Sequence, residues 1–173
     1  MNDSDLHSQL INITALATNY CASLENVLEF ERFDFINNIL NLLPRIYWNF
    51  SDVVVENVSL SPDDEFDFLP SYIDEDMYES VRRGVAALLE DEDVYLETFE
   101  EDMKYSDTPI AVSISEGLAD IYQHLYDFVA IVRESDGEQL QDAYRECHDS
   151  FVGSWSQTLC NVMRALNHLR YNL

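Results

Sequence analysis

The fold is decided by one stretch of the chain, residues 110–132, which read IAVSISEGLADIYQHLYDFVAIV. Its apolar residues recur every three or four positions: Ile110, Ile114, Leu118, Ile121, Leu125, Phe128 and Val132. This spacing places their side chains on one face of an α-helix. Asp107 or Thr108 can cap the N-terminus of that helix, and Pro109 suits its first turn. The sequence therefore predicts a packed helix that begins at Asp107 and ends at the turn over residues 135–137.

The same period recurs in four other segments, and we predict helices over residues 4–28, 33–57, 74–90 and 137–169. Pro44 lies inside the second helix and is expected to kink or divide it, because proline lacks a backbone N–H group and clashes with the preceding turn. The last helix would be about 50 Å long if it were continuous. We therefore expect either a bend near Gly153 or an elongated bundle.

Glycine and proline are scarce, with four of each, which disfavours sandwiches and barrels because those folds need many turns. The 173 residues, of which 47% are hydrophobic, are sufficient for one packed core. We predict an all-α fold, a single-domain bundle of five or six helices over residues 1–173. Residues 58–73 are expected to form an acidic connection that packs on the bundle. Residues 91–107 are expected to form a strand, a short helix or a loop.

The charge of the chain is strongly negative: 34 Asp and Glu residues oppose nine Lys and Arg residues, for a net charge of −25. Residues 61–102 hold 16 acidic residues and two arginines, which gives −14. Such a surface repels nucleic-acid phosphates and anionic lipids and attracts basic protein surfaces. We therefore expect a basic protein partner, and we expect neither nucleic acid nor a membrane as a partner.

Cysteine usage and the N-terminal residues indicate a cytoplasmic protein. The three cysteines, Cys21, Cys147 and Cys160, are an odd number and form no CxxC pair, which is typical of reduced thiols. Residues 1–5, MNDSD, lack the basic start and the apolar run of a signal peptide. No stretch reaches the roughly 18 consecutive apolar residues of a membrane helix.

Glutamates in the middle of the chain partly match the magnesium site of helical nucleoside-triphosphate pyrophosphohydrolases, in which an ExxE box precedes an ExxD box. Glu97 and Glu100 have the first spacing, but Glu116 and Asp120 stand four positions apart instead of three. Partial matches of this kind arise readily by chance among so many acidic residues. None of the four histidines follows a glutamate by three positions, which argues against a di-iron site.

A second candidate for metal binding is the polar face of the predicted helix from Asp107. This face carries Glu116, Asp120, His124 and Asp127. These side chains could hold a divalent ion or shift the pKa of His124. We favour the interpretation that they form a solvated outer face opposite the apolar stripe. Because GxSxG, CxxC and phosphate-binding glycine motifs are absent, we expect no catalytic residue and no cofactor.

Lys104 is the only lysine of the chain and is followed by Tyr105 and, two positions later, by Asp107. A cation near a helix N-terminus can hold an anion. Lys104, Tyr105 and Asp107 therefore form a candidate site for an anion or a partner. A salt-bridged entry into the helix is the interpretation that we favour.

Residues 101–123, EDMKYSDTPIAVSISEGLADIYQ, resemble a bacterial protein family known only as a domain of unknown function. The run Leu42-Leu43-Pro44 with the aromatic-rich segment after it, and the region around Trp155, are similar to that family as well. The resemblance covers most of the chain. It implies an all-helical cytosolic domain, and it implies no established activity, ligand or catalytic residue.

Three hypotheses about function follow. The leading one is a non-enzymatic interaction or regulatory protein whose acidic surface docks a basic protein partner, with charge steering the encounter. The alternative is a divalent-metal-dependent hydrolase of the pyrophosphohydrolase type, which needs at least three carboxylates of residues 90–120 in one cleft. Association into a homodimer is the third, since the second and last helices carry apolar residues beyond one stripe.

Overall fold

A computed structural model describes residues 3–55, 69–97 and 109–172. Within these ranges the chain forms six α-helices: Asp3–Glu25 (α1), Arg32–Asp52 (α2), Glu75–Leu89 (α3), Ile114–Glu134 (α4), Leu140–Ser150 (α5) and Ser156–Asn172 (α6). Two short strands, Val94–Leu96 (β1) and Ala111–Ser113 (β2), form a small antiparallel sheet. The predicted all-α bundle is confirmed, with this sheet as an addition.

Four of the helices form the body of the bundle. Helix α1 packs on α2 and α4, and α6 packs on the same two helices. Helix α3 lies against α4 and α1, and α5 lies against α4. All six helices contribute side chains to one continuous apolar core. Helix α3 therefore covers the α1–α4 side of the bundle, while no other described helix packs extensively on the opposite side, formed by α2 and α6.

Helix α2 continues through Pro44, so the expected division of this helix is wrong. Pro44 is exposed, and the carbonyl group that loses its hydrogen bond one turn earlier lies on the same side of the helix. The inward face of α2 keeps its apolar stripe, which includes Ile36, Leu43 and Phe50. Packing of this stripe holds the helix together across the proline.

The start of α4 differs from the prediction. The helix begins at Ile114 instead of Asp107, and its N-cap is Ser113, whose hydroxyl oxygen accepts a backbone hydrogen bond of 3.2 Å. The preceding residues, Ala111–Ser113, pair with Val94–Leu96 in the antiparallel sheet. Hydrogen bonds between strands thus replace the helical ones that the apolar spacing predicts.

The two segments with open predictions are described in part. Residues 90–93 form a 3₁₀ turn and lead into β1, so the described start of segment 91–107 contains a helical turn and a strand. Residues 98–108 lie outside the described residues. Of the acidic connection 58–73, the structure describes residues 69–73, in which Leu69 and Ile73 pack against the core.

Helices α5 and α6 are joined by a π-helical turn over Phe151–Trp155. This irregularity contains Gly153, where the sequence predicts a bend. The indole Nε1 of Trp155 donates a 3.3 Å hydrogen bond to the carbonyl of Cys147, and its ring contacts Phe50 and Phe151 at centroid distances of 5.0 and 4.7 Å. Wider turns of this kind change the direction of side chains along a helix. In the described ranges, none of the helices has the length and apolar character that crossing a bilayer requires.

Candidate functional site

The polar face of α4 is in contact with the segment that leads into α3. Asp127 accepts three hydrogen bonds from this segment: 2.8 Å from Ser71 Oγ, 2.6 Å from the Tyr72 N–H and 2.9 Å from the Ile73 N–H. A carboxylate that accepts several hydrogen bonds can be held in place without a cation. Asp127 therefore attaches the start of α3 to α4.

Asp120 makes a second such contact, two helical turns closer to the N-terminus of α4. Its Oδ1 accepts a 2.7 Å hydrogen bond from the hydroxyl of Tyr78 on α3. Burial and the bond to Asp120 raise the pKa of Tyr78, so this hydroxyl keeps its proton and acts as donor. Asp120 and Asp127 are half-buried, and Glu116 is exposed. The expected solvated outer face is therefore wrong for Asp120 and Asp127, because α3 and its leading segment lie on this side of α4.

His124 is half-buried between these two carboxylates along α4. Its ring stacks on Trp155, with centroids 6.3 Å apart and planes inclined by 16°. Burial lowers the pKa of His124 below its usual 6.5, and the negative charges of Asp120 and Asp127 act in the opposite direction. Burial therefore favours the neutral form of the imidazole that stacks on this indole.

Cys147 lies next to His124 in the core. Its Sγ is 3.6 Å from the His124 carbonyl oxygen, to which it donates. Burial raises the pKa of the Cys147 thiol, so the thiol stays protonated and is a poor nucleophile. This agrees with the apolar position of Cys147 in the sequence pattern.

The candidate metal ligands are not brought together in the part of the chain that the structure describes. Glu97 follows β1 and is 6% exposed, with Tyr95 Oη 3.3 Å from its Oε2. Among the described residues, no group of three or more His, Cys, Asp or Glu side chains could hold a metal ion. Glu100 lies outside those residues, so its pairing with Glu97 stays a prediction.

The sequence pattern gives no sign of the buried pair formed by Asp93 and Ser115. The Oδ1 of Asp93 accepts a 2.7 Å hydrogen bond from the Ser115 N–H, and its Oδ2 accepts one of 2.6 Å from the hydroxyl. Asp93 is 8% exposed and sits at the positive end of the α4 dipole. The pair joins the start of β1 to the start of α4. A correct prediction of the α4 N-terminus could have revealed the pair, but the sequence places that terminus seven residues too early.

Exposed carboxylates lie around α5, and others flank α3 at both ends. Asp74, Glu75 and Asp76 lie at its N-terminus, where Asp74 accepts a 2.8 Å hydrogen bond from the backbone of the first turn. Exposed Glu90 and Asp91 follow its C-terminus directly. We call this set of five carboxylates the α3 acidic surface.

The arginines near this surface are engaged in ion pairs. Arg82 makes two hydrogen bonds of 2.9 Å to Glu79, and Arg83 approaches the same carboxylate at 3.1 Å. The bond to Arg82 lowers the pKa of Glu79. Arg32 donates to Glu90 at 2.7 Å and to the carbonyl of Leu88 at 2.8 Å. Two of these three guanidinium groups thus neutralise Glu79, which does not belong to the α3 acidic surface.

The sequence profile of a family described as a domain of unknown function, DUF5063, matches residues 4–172. The chain belongs to this family. Among curated proteins, none matches the chain. The crystal structure of protein BF1032 from Bacteroides fragilis is similar, with a TM-score of 0.78 and 28% sequence identity over 95% of this chain and 94% of that chain. The resemblance to a domain of unknown function is thereby confirmed, and the helical fold is shared over nearly the whole length.

In this DUF5063 chain, the main stretch that carries the resemblance, residues 101–123, falls into two parts. Residues 111–123 form β2 and the first half of α4. The candidate anion site, Lys104, Tyr105 and Asp107, lies in residues 98–108, outside the described residues, and stays a prediction. The described part of the site is thus the polar face of α4 and the α3 acidic surface beside it.

Proposed function

We propose that this protein is a non-enzymatic interaction protein that docks a basic protein partner through the α3 acidic surface. The observation that supports the proposal most directly is the position of its carboxylates. They flank α3 at both ends, while Asp120 and Asp127 close to the same helix are engaged in hydrogen bonds. Asp120 and Asp127 thus hold the contact between α3 and α4, whereas Glu75, Asp76 and Asp91 face the solvent.

The C-terminal end of α3 supports the proposal further. Glu90 and Asp91 lie at the negative end of the helix dipole, where anions are disfavoured by about 0.3–1 kcal/mol each. Arg32 offsets part of this effect by its bonds to Glu90 and to the last turn of α3. A lysine or arginine of a partner would add a second cation at the same end, and would stabilise both the carboxylates and the helix terminus.

The overall charge favours rapid encounter with such a partner. A net charge of −25 creates a field that steers basic proteins and repels nucleic acid. Surface fields of this kind are screened beyond about 10 Å at 0.1 M salt. Docking through the α3 acidic surface should therefore weaken steeply as salt is raised. We place the protein in the cytoplasm, which its three unpaired cysteines support.

The test compares two triple variants of equal charge in a pull-down at low and high salt. Glu75→Gln, Asp76→Asn and Asp91→Asn remove three of the five negative charges of the α3 acidic surface, all at exposed positions. Glu138→Gln, Glu146→Gln and Asp149→Asn make the same change of charge at exposed positions around α5. We expect basic proteins captured by the native chain at low salt to be lost with the first variant and retained with the second.

Two outcomes would contradict the proposal. Equal capture by both triple variants would show that net charge, and not the α3 acidic surface, attracts the basic proteins. Capture that does not weaken with salt would show that the contact is not electrostatic. Thermal unfolding of both variants serves as the control that the exposed substitutions leave the fold intact.

The second candidate function, a divalent-metal-dependent hydrolase, is favoured by one observation. Glu97 is a buried carboxylate, and buried carboxylates are common at functional sites. An ion-selective rise in the unfolding temperature with Mg²⁺, Mn²⁺ or Ca²⁺ that disappears in Glu97→Gln would support this function. A small rise common to all three ions would indicate only relief of repulsion among the carboxylates.

A further inference from the structure

The groove between α2 and α6 has an unusual composition for so acidic a chain. Its volume is about 470 Å³, and no Asp or Glu is among the described residues that line it. Each wall is one stripe of a helix, with polar side chains and a proline spaced three or four positions apart: Asn37, Asn41 and Pro44 from α2, and Arg164, Asn167 and Arg170 from α6. The groove therefore combines positive charge and amides in a chain whose net charge is −25.

Arg170 is a half-buried cation that makes no ion pair with any described residue. Its guanidinium lies 4.5 Å from the ring centroid of Phe33 on α2 and 5.4 Å from that of Tyr171. Carboxylates do pair with other arginines of the described ranges: Arg32, Arg82, Arg83, Arg133 and Arg145. A guanidinium held over a ring can still donate its N–H groups to an anion at its edge. The two rings therefore position Arg170 in the groove and leave its charge available.

Side-chain amides and a second guanidinium add further hydrogen-bond donors to the groove. The amide of Asn41 donates a 2.9 Å bond to the carbonyl of Asn37 within α2. The side-chain amides of Asn37 and Asn167 make no hydrogen bond to any described residue. Arg164 and Arg170 are six positions apart in α6, which corresponds to about 9 Å along the helix axis. The donors are thus spread over a length that suits a small molecule with two negative charges.

We propose that the groove between α2 and α6 binds a small organic dianion, either a dicarboxylate or a phosphate monoester. Carboxylate and phosphate groups both accept paired hydrogen bonds from a guanidinium and single bonds from amides. Leu40 and Met163, which are half-buried and line the same groove, would contact the carbon skeleton of the ligand. The volume of the groove is also within the roughly 300–1,000 Å³ that is usual for small-molecule sites. This site is separate from the α3 acidic surface.

The net charge of the chain favours a small anion over an acidic protein as the occupant. Carboxylates more than about 10 Å from the groove are largely screened at 0.1 M salt, so a ligand confined to the groove meets mainly its arginines and amides. An acidic protein would extend beyond the groove over a chain of net charge −25, which would repel it. Asp34, one turn before Asn37 in α2, does not line the groove, and no ion pair joins its carboxylate to Arg170.

The test is an NMR titration of the full chain with succinate and with glycerol 3-phosphate, with NaCl at equal ionic strength as the reference. The side-chain amide signals of Asn37, Asn41 and Asn167 report on the groove directly. We expect saturable shifts of these signals with a dissociation constant below about 10 mM for at least one anion, and the tighter one identifies the ligand as a carboxylate or a phosphate. Arg170→Gln should raise this constant at least about tenfold. Arg45→Gln makes the same change of charge at an exposed position of α2 outside the groove and should change it less than about twofold.

Arg170→Lys keeps the charge but not the planar guanidinium, so it should weaken binding by a smaller factor than Arg170→Gln. Thermal unfolding without added anion is the control that each variant folds. The absence of saturable shifts with both anions would overturn the proposal. So would equal losses in Arg170→Gln and Arg45→Gln, because the anion would then respond to net charge alone. A hexaglutamate peptide that binds the same amides more tightly than either small anion would also overturn it and would indicate an acidic protein as the occupant.

Discussion

The α1–α4 side and the α2–α6 side of the bundle treat charged groups in opposite ways. On the first side, α3 covers polar residues of α4, and Asp120 and Asp127 accept hydrogen bonds from a hydroxyl and from backbone N–H groups. On the second side, the groove between α2 and α6 is lined by amides, arginines and the ring of Tyr171, without carboxylates in the described residues. An acidic chain can therefore pack carboxylates inside a contact or exclude them from a face.

This comparison shows that the net charge of −25 is distributed unevenly between the two sides of the bundle. Neutral donors hold the covered carboxylates, so the contact between α3 and α4 does not depend on the few basic residues of the chain. Hydrogen bonds to a charged acceptor each contribute about 1.5–3 kcal/mol. The uncovered side instead exposes aromatic rings such as that of Tyr171. Each of the following predictions examines one element of this comparison.

The largest effect is expected from Asp127→Ala. This variant removes the acceptor for three hydrogen bonds that attach the start of α3 to α4. We expect the free energy of unfolding to fall by about 2–4 kcal/mol, measured by urea denaturation. Asn41→Ala in α2 removes an amide that donates one exposed bond to the Asn37 carbonyl within the same helix, and should change the free energy of unfolding by less than about 0.5 kcal/mol. Similar losses in both variants would show that Asp127 is not a structural acceptor.

A second effect concerns the approach of α3 to the turn after α1. A Cβ added at Gly84 would lie 2.6 Å from Cγ1 of the buried Val27. Gly84→Ala should therefore lower the free energy of unfolding by about 1–2 kcal/mol, although alanine favours a helix by about 1 kcal/mol. At Gly153, a Cβ would have no atom within 4 Å. Gly153→Ala should accordingly raise the stability by up to about 1 kcal/mol, and a loss there would show that the π-helical turn itself needs glycine.

Much of the core could be predicted from apolar spacing alone. Ile114, Leu118, Ile121, Leu125 and Phe128 form the predicted stripe of α4, and all five are buried. The spacing succeeds because one face of a helix must be apolar whichever neighbour covers it. The first three helices begin within a residue or two of their predicted starts for the same reason.

The start of α4 and the polar contacts could not be predicted in the same way. Ala111–Ser113 forms a strand because Val94–Leu96 is available as its partner, and no local pattern reveals a pairing across about 17 residues. Periodicity also shows which face of α4 is polar, but not that α3 will cover it. The roles of Asp93, Asp120 and Asp127 depend on such distant neighbours, so the sequence shows their charge and not their partners.

A smaller effect is expected from the hydroxyl that joins α3 to Asp120. Tyr78→Phe removes the donor of the 2.7 Å hydrogen bond and keeps the ring. We expect a loss of about 1–1.5 kcal/mol in the free energy of unfolding, since the half-buried carboxylate loses its partner. Tyr171→Phe makes the same chemical change at a side chain that is 73% exposed on the opposite side, and should have almost no effect. Equal losses of stability in both variants would show that the hydrogen bond to Asp120 does not stabilise the contact between α3 and α4.

The smallest effect is a dependence of stability on pH that belongs to His124. Because burial lowers its pKa in the folded chain, the neutral imidazole is favoured on folding. The contribution of His124 to stability is therefore present above its ordinary pKa of 6.5 and is lost as pH falls below that value. Acidification also relieves repulsion among the carboxylates, so the two effects must be separated by differences between variants.

The stability difference between the native chain and His124→Gln, measured by urea denaturation, should therefore decrease between about pH 7.5 and about pH 5.5. The corresponding difference for Ser8→Ala, which changes no titratable group at an exposed position of α1, should stay nearly constant, because both chains experience the same relief of repulsion. A pH-independent difference at His124 would mean that its ring accepts a proton without leaving Trp155. The predicted decrease would instead show that the folded chain favours the uncharged form of the His124 imidazole.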